Sequence, residues 1–315
     1  MGVKQRMTEG WSFVKRTVSL WSAKNPFQFA GALAFYTIFS LAPLLIILIT
    51  VTGVIFGEDA ARGEISNQIE DLIGPQAAQA VESAVRQSRP EESGILPTLI
   101  GVGALLFGAT TVFAQMQTAL NNIWDVVARP SRSGILLFIR TRLLSLSLVL
   151  IIGFLLLVSF VLTMTLATLL RFASQWVPVP NAVAWVTDLA ISLTVVTLLF
   201  ATIFKVLPDV HLSWRDMWRG AFLTAVLFTV GQYLISLYLT ETAPGSPYGA
   251  AGSLVIVLMW VYYSSLILFF GAAFTRLSLE RRGGAIEPKS TAVRVRTEVV
   301  EDASEETREP VPEAG

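Results

Sequence analysis

Residues 31–56, GALAFYTIFSLAPLLIILITVTGVIF, run for 26 positions without a charged side chain. An apolar run of about 18 or more residues has the length and composition of a membrane-spanning helix. Pro43 stands in the middle of the run. There it removes one backbone hydrogen bond and crowds the preceding turn, so a kink is expected. Tyr36, Thr37 and Ser40 place hydroxyls just before the proline, where neighbouring polar groups can re-satisfy backbone freed by a kink. The same hydroxyls suit plain architecture or the edge of a ligand cavity.

The rest of the composition agrees with a membrane setting. The chain has 315 residues, of which 53% are apolar and 15% charged, and its mean hydropathy is +0.62. Soluble domains carry about 25% charged residues. The absence of cysteine excludes disulfides and thiolate chemistry, and the single histidine, His211, excludes His-rich metal sites. Residues 1–24 are basic and mixed and lack the apolar core of about 7–15 residues of a cleavable signal peptide. The first span is therefore expected to serve as the insertion signal.

Five further apolar segments, at 95–117, 143–170, 183–204, 220–240 and 252–274, are each long enough to cross about 30 Å of hydrocarbon. Lys and Arg number 19 in the N-terminal segment, the loops 118–142 and 205–219 and the tail, against 4 in the remaining connections. The positive-inside rule then places both termini in the cytoplasm. The expected fold is all-α: a polytopic integral membrane helical bundle with six transmembrane helices, in the bacterial cytoplasmic (inner) membrane.

Around that bundle, residues 1–29 read as a cytoplasmic interfacial helix. Trp11, Val14, Val18 and Trp21 recur at helical spacing, with Lys15 and Arg16 on another side. Packing against the bundle is the alternative, and Asn25-Pro26 ends the helix in either case. Residues 57–94 read as an outer amphipathic helical hairpin split at Gly74-Pro75, with Ala77, Ala80, Val81, Ala84 and Val85 on one face. A lid and a passive cap are equally compatible with it. The membrane domain is set at 30–279. The charged, aromatic-poor segment 280–315 is expected to be a disordered cytoplasmic tail. Gly-Ala pairs at 31–32, 220–221, 249–250 and 271–272, and Ala104-x-x-x-Gly108, mark close helix packing.

Candidate substrate-path residues are few. Asp188 is the one charged residue inside an expected span, about a turn and a half from its outer end. Intramembrane carboxylates are the usual proton relays of pumps, so an ordinary carboxylate-driven pump is disfavoured. Gln115, Asn121 and Asn122 lie in QMQTALNNIWDV, where amides suit headgroups or the capping of a neighbouring helix. Lys205, Pro208, Asp209 and His211 cluster in the next loop, which offers neither a metal-ligand set nor a Ser-His-Asp arrangement. Tyr248 and Gly249 open the last helix. Trp260 and Tyr263 form an aromatic stripe there, suited to packing or to a groove shared with Gln232 and Tyr233.

Four pieces of this chain, GALAFYTIFSLAPLL, ALNNIW, FKVLP followed by SWRDMWRGA, and YGAAGSLVIVLMWVYYSSLILFFGA, resemble the YihY/virulence factor BrkB family of bacterial inner-membrane proteins. The resemblance implies six membrane helices and a role in envelope integrity or transport. One departure stands out. Where the family often has Gly-Ala-Glu near the end of the last span, this chain has Gly271-Ala272-Ala273, so any role of that glutamate does not carry over. Family members have also carried a ribonuclease label. RNA hydrolysis needs a placed acid–base pair or a metal cluster, and the short loops supply neither.

The expectation is therefore a non-enzymatic, cofactor-free and metal-free transporter of a lipid or amphiphilic envelope component. Its partners are membrane lipids, with no nucleic acid. A small-solute secondary transporter or channel and a non-transporting envelope scaffold are the alternatives.

Overall fold

A computed structural model of the chain describes residues 3–37, 57, 63, 111–129, 181–242 and 249–295. Helix α1 covers Val3–Ala23, α2 covers 26–37, α3 covers 111–123, α4 Asn181–Val206, α5 Trp214–Thr242 and α6 Gly249–Arg281. Four short strands join them: β1 Val126–Ala128, β2 Val210–His211, β3 Glu287–Pro288 and β4 Ala292–Arg294. The expected spans at 183–204, 220–240 and 252–274 fall inside α4, α5 and α6. Those at 31–56 and 95–117 overlap α2 and α3 in part. Their remainders, the span at 143–170 and the outer hairpin at 57–94, apart from Gly57 and Gly63, lie outside the described residues. Leu189–Val206 and Val257–Arg281 are long and apolar enough to cross a membrane.

Helix α5 shows how the bundle is built. One face carries Trp214, Trp218, Phe222, Val230, Tyr233 and Leu237, all exposed. Over those 23 steps the stripe climbs about 35 Å, enough for a hydrocarbon core. The other face carries Gly220, Thr224 and Gly231, turned toward α6. A Cβ added at Gly220 would fall 1.7 Å from Thr275 Oγ1, and one at Gly271 would fall 1.8 Å from Thr224 Oγ1. A Cβ at Gly231 would meet the Tyr263 hydroxyl at 2.1 Å and its ring at 2.2 Å. The two helices therefore run antiparallel with glycine facing a larger residue at each level, the small-residue packing of membrane helices. The Gly-Ala pairs at 220–221 and 271–272 mark this contact as expected, whereas among the described residues nothing lies within 4 Å of a Cβ added at Gly31. Phe204 of α4 also reaches Gly271, at 3.2 Å from the added Cβ, so three helices meet there.

The helix ends follow local chemistry. Asn25 adopts φ 51°, which asparagine tolerates better than most residues, and its carbonyl accepts the Phe29 N–H at 3.3 Å. Pro26 then begins α2, where its missing N–H costs nothing. At the end of α6, Gly283 has φ 75°. The Gly284 N–H bonds the Leu279 carbonyl at 3.1 Å, and the Gly283 N–H bonds that of Glu280 at 3.0 Å, a Schellman termination.

Two expectations change. Helix α1 packs on the bundle: Glu9, Phe13 and Trp21 meet Arg281, Phe274 and Phe270 in reverse order, with Phe13–Phe274 ring centroids 5.3 Å apart and Trp21–Phe270 6.2 Å apart. Trp11, Val14 and Val18 stay exposed on its far side. Of the expected interfacial stripe, Trp11, Val14 and Val18 form the outward face, while Trp21 turns inward with Phe13 and Thr17.

The second correction concerns the tail expected to be disordered over 280–315. Residues 280–281 complete α6, and 287–294 supply two strands. β4 pairs antiparallel with β1 (Val127 opposite Val293), and β3 with β2 (Val210 opposite Pro288). Low hydrophobicity suggested disorder. Ile286 and Ala292 nevertheless bury their side chains, and the backbone finds its partners in two distant loops. Residues 296–315 lie outside the described residues.

Candidate functional site at the charged end

Four loops and helix ends converge where α1, α3, α4 and α6 meet the strands. Asp209, just past α4, is the first hub. Its Oδ2 accepts Nδ2 of Asn121 at 2.9 Å and Nε2 of Gln117 at 3.1 Å. Its backbone N–H donates to Asn121 Oδ1 at 2.8 Å, and its carbonyl accepts the Lys289 N–H at 2.9 Å. Lys289 Nζ donates to the carbonyls of Pro208 at 2.7 Å and Val206 at 3.3 Å, capping the end of α4.

Asp125 is the second hub. Its positive φ of 52° turns the chain from α3 into β1. Its carboxylate accepts Lys24 Nζ on one oxygen and pairs with Arg276 Nη1 at 2.7 Å on the other. Arg276 also bonds the Ile123 carbonyl and pairs with Glu280 at 3.0 Å. Burial by itself would raise the Asp125 pKa. The hydrogen bonds and charges of Lys24 and Arg276 outweigh it and hold the carboxyl below its ordinary range. Asn122 Nδ2 donates to the Lys24 carbonyl at 3.0 Å, tying α3 to the α1–α2 corner.

This end is closed. Trp124, Phe204, Phe269, Leu120 and Met217 are fully buried beneath the two hubs. The indole N–H groups of Trp21 and Trp124 are buried without an acceptor among the described residues. His211 is exposed on β2 opposite Glu287. No group of three His, Asp or Glu side chains gathers among the described residues.

The candidates fall in separate places. Asn121 and Asn122 hold the two hubs, and Gln115 lies half-buried on α3. Trp260 stacks edge-on to Phe228 with centroids 5.7 Å apart, and Tyr263 covers Gly231. Tyr233 is 72% exposed on the outer stripe of α5, next to half-buried Gln232. Tyr36 lies against Phe35 on α2, with centroids 5.7 Å apart. Asp188 lies in the first turns of α4, and Gly249 begins α6. Ser40, Pro43 and Tyr248 fall outside the described residues. Lys24, Arg276 and Lys289 were not singled out as site residues from the sequence. The concentration of cations at this end was the one signal pointing to them.

Residues 17–296 match the family described as Virulence factor BrkB. The chain is 25% identical over 279 residues to the ribonuclease-like protein YfkH of Bacillus subtilis, covering 86% of the chain and 96% of that protein. It is 27% identical over 274 residues to a UPF0761 membrane protein of Pseudomonas paraeruginosa, covering 86% of the chain and 63% of the relative. A UPF0761 membrane protein of Chromohalobacter salexigens is 30% identical over 278 residues, covering 85% of the chain and 63% of the relative. The chain thus spans less than two thirds of the length of the two UPF0761 relatives. No solved structure matches it.

Proposed function

This chain belongs to the virulence factor BrkB family of membrane proteins, and from that premise we propose that it is a transporter handling a lipid or amphiphilic component of the bacterial envelope. In this reading it crosses the inner membrane six times with both termini in the cytoplasm, and the charged end faces the cytoplasm.

The observation that carries the reading is the contrast between that end and the flank of the bundle. Large side chains fill the space beneath the hubs, and Asp209 and Arg276 are committed to internal bonds. Among the described residues, an aqueous path through this end would have to break them. Beyond Arg219 the outer face of α5 is largely apolar, through Phe222, Val230 and Leu237, and carries Tyr233 beside Gln232. A lipid can slide along such a flank with its tails in the bilayer, needing polar contact for the headgroup alone. The ribonuclease-like name belongs to YfkH, and we assign no nuclease activity to this chain.

The test is lipid translocation in proteoliposomes, read by dithionite quenching of a headgroup-labelled phospholipid. The protein should expose inner-leaflet label faster than empty vesicles do, and Gln232→Ala and Ser40→Ala should slow it. Label inaccessible at the rate of empty vesicles would sink the proposal. Solute uptake abolished by Asp188→Asn would replace it with the secondary-transporter reading.

A further inference from the structure

The cations and indoles at the charged end are arranged in a way that the two hubs do not explain. Two ion pairs set the level of the elements. Arg281 Nη2 lies 3.7 Å from Glu9 Oε2 of α1, and Arg282 Nη1 lies 3.6 Å from Asp216 Oδ1 of α5. The end of α6 therefore bridges the early turns of α1 to the first turn of α5, so Trp11 on α1 and Trp214 and Trp218 on α5 share one slab. All three are exposed, Trp11 by 63%.

The carboxylates of this slab are matched internally. Glu9 pairs with Arg281, Asp216 with Arg282, and Glu280 with Arg276. No ion pair among the described residues engages Lys15, Arg16, Arg215 or Arg219, and all four are exposed on α1 and α5. Lys15 lies over the Trp11 ring, 5.5 Å from its centroid. The exposed surface is thus cationic and aromatic: Lys15 joins Trp11, Val14 and Val18 on the outward face of α1, Arg16 lies exposed on its flank, and Arg215 and Arg219 lie among Trp214, Trp218 and Phe222 on α5.

We propose that the outer faces of α1 and the first turns of α5 form a binding surface for anionic phospholipid headgroups. The indoles sit at the hydrocarbon boundary, where amphipathic rings are favoured, and the four cations meet the phosphates. Each Lys or Arg near an anionic leaflet adds to the attraction, so together the four select for anionic lipid. The surface depends on the membrane location of the chain and not on transport, so failed translocation would leave it standing.

The test reads the lipids retained by the full chain after extraction from nanodiscs of mixed phosphatidylglycerol and phosphatidylcholine, by native mass spectrometry. The wild type should be enriched in phosphatidylglycerol. The variant Lys15→Gln/Arg16→Gln/Arg215→Gln/Arg219→Gln should lose that enrichment by at least roughly tenfold. Should the fourfold variant fail to fold, the Lys15/Arg16 and Arg215/Arg219 pairs are read separately, each with a partial loss. Arg129→Gln/Arg294→Gln, on the β1–β4 sheet, should keep the enrichment. Equal loss in both sets would overturn the assignment to α1 and α5. So would a wild type without preference. Displacement of the lipid by inorganic phosphate alone would identify a soluble-anion site and overturn the lipid assignment.

Discussion

The Asn121 carboxamide grips Asp209 twice, donating to its carboxylate at 2.9 Å and accepting its backbone N–H at 2.8 Å. Both atoms of one buried amide are thereby used to fix the turn after α4 against the end of α3. Leucine at position 121 would leave the half-buried Asp209 N–H without its partner and its carboxylate with Gln117 in place of two amides, at a cost of about 1–3 kcal/mol in all. Asn121→Leu should lower the thermal midpoint in detergent by several degrees. An unchanged midpoint would show the grip to be dispensable.

Close packing of α5 on α6 makes a second prediction. Gly271→Ala drives a methyl against Thr224 Oγ1, and overpacking of this kind costs about 1–3 kcal/mol. Thr224→Ala in the same chain removes that oxygen and should recover part of the loss, a coupling measurable in a double-mutant cycle. Additive losses would mean that the helices yield elsewhere.

The Asp125 hub predicts a pH dependence. Its pKa is lower in the folded protein than in the unfolded chain, so the unfolded state binds the proton more readily. The stabilisation is present above the ordinary aspartate range and disappears as pH falls through the lower folded value. Unfolding midpoints of the wild type should drop on acidification through this window. Asp125→Asn should be less stable at neutral pH, because Lys24 and Arg276 lose their shared partner, and its midpoint should change less with acid.

Lys289 caps α4 from the far end of the chain. Lys289→Met should raise amide exchange across 207–213, where Val206 and Pro208 lose their donor, while α5 and α6 stay protected. Truncation after Gly284 should do more, since β1 and β2 also lose their strand partners. If exchange at 207–213 equals that of the wild type in both variants, the C-terminal strands are not what holds this loop.

Local patterns carried some of this structure and not the rest. Gly220 and Gly271 were readable as contact points because a helix with glycine among large apolar residues has one place to be approached closely. Of the stripe Trp11, Val14, Val18 and Trp21, the first three mark the outward face, while Trp21 packs against Phe270. The pairing of Asn121 with Asp209 was not legible, since 88 residues separate them and neither sits in a periodic pattern. The strands at 287–294 were missed for a related reason. Their own composition is too polar to suggest order, and their partners lie in loops far back in the chain.

The sequence by itself determined that this is a helical membrane protein, since long uncharged apolar runs follow from the cost of polar groups in hydrocarbon. Its resemblance to the YihY/BrkB proteins rested on four quoted segments, and the family match over residues 17–296 agrees with it. Tertiary structure alone decided which polar residues serve architecture. A buried amide or carboxylate must find partners or pay a desolvation penalty, and those partners are chosen by proximity in space. Asn121 and Asn122, each as ready for a headgroup as for a neighbouring helix, thus became the fastenings of the charged end.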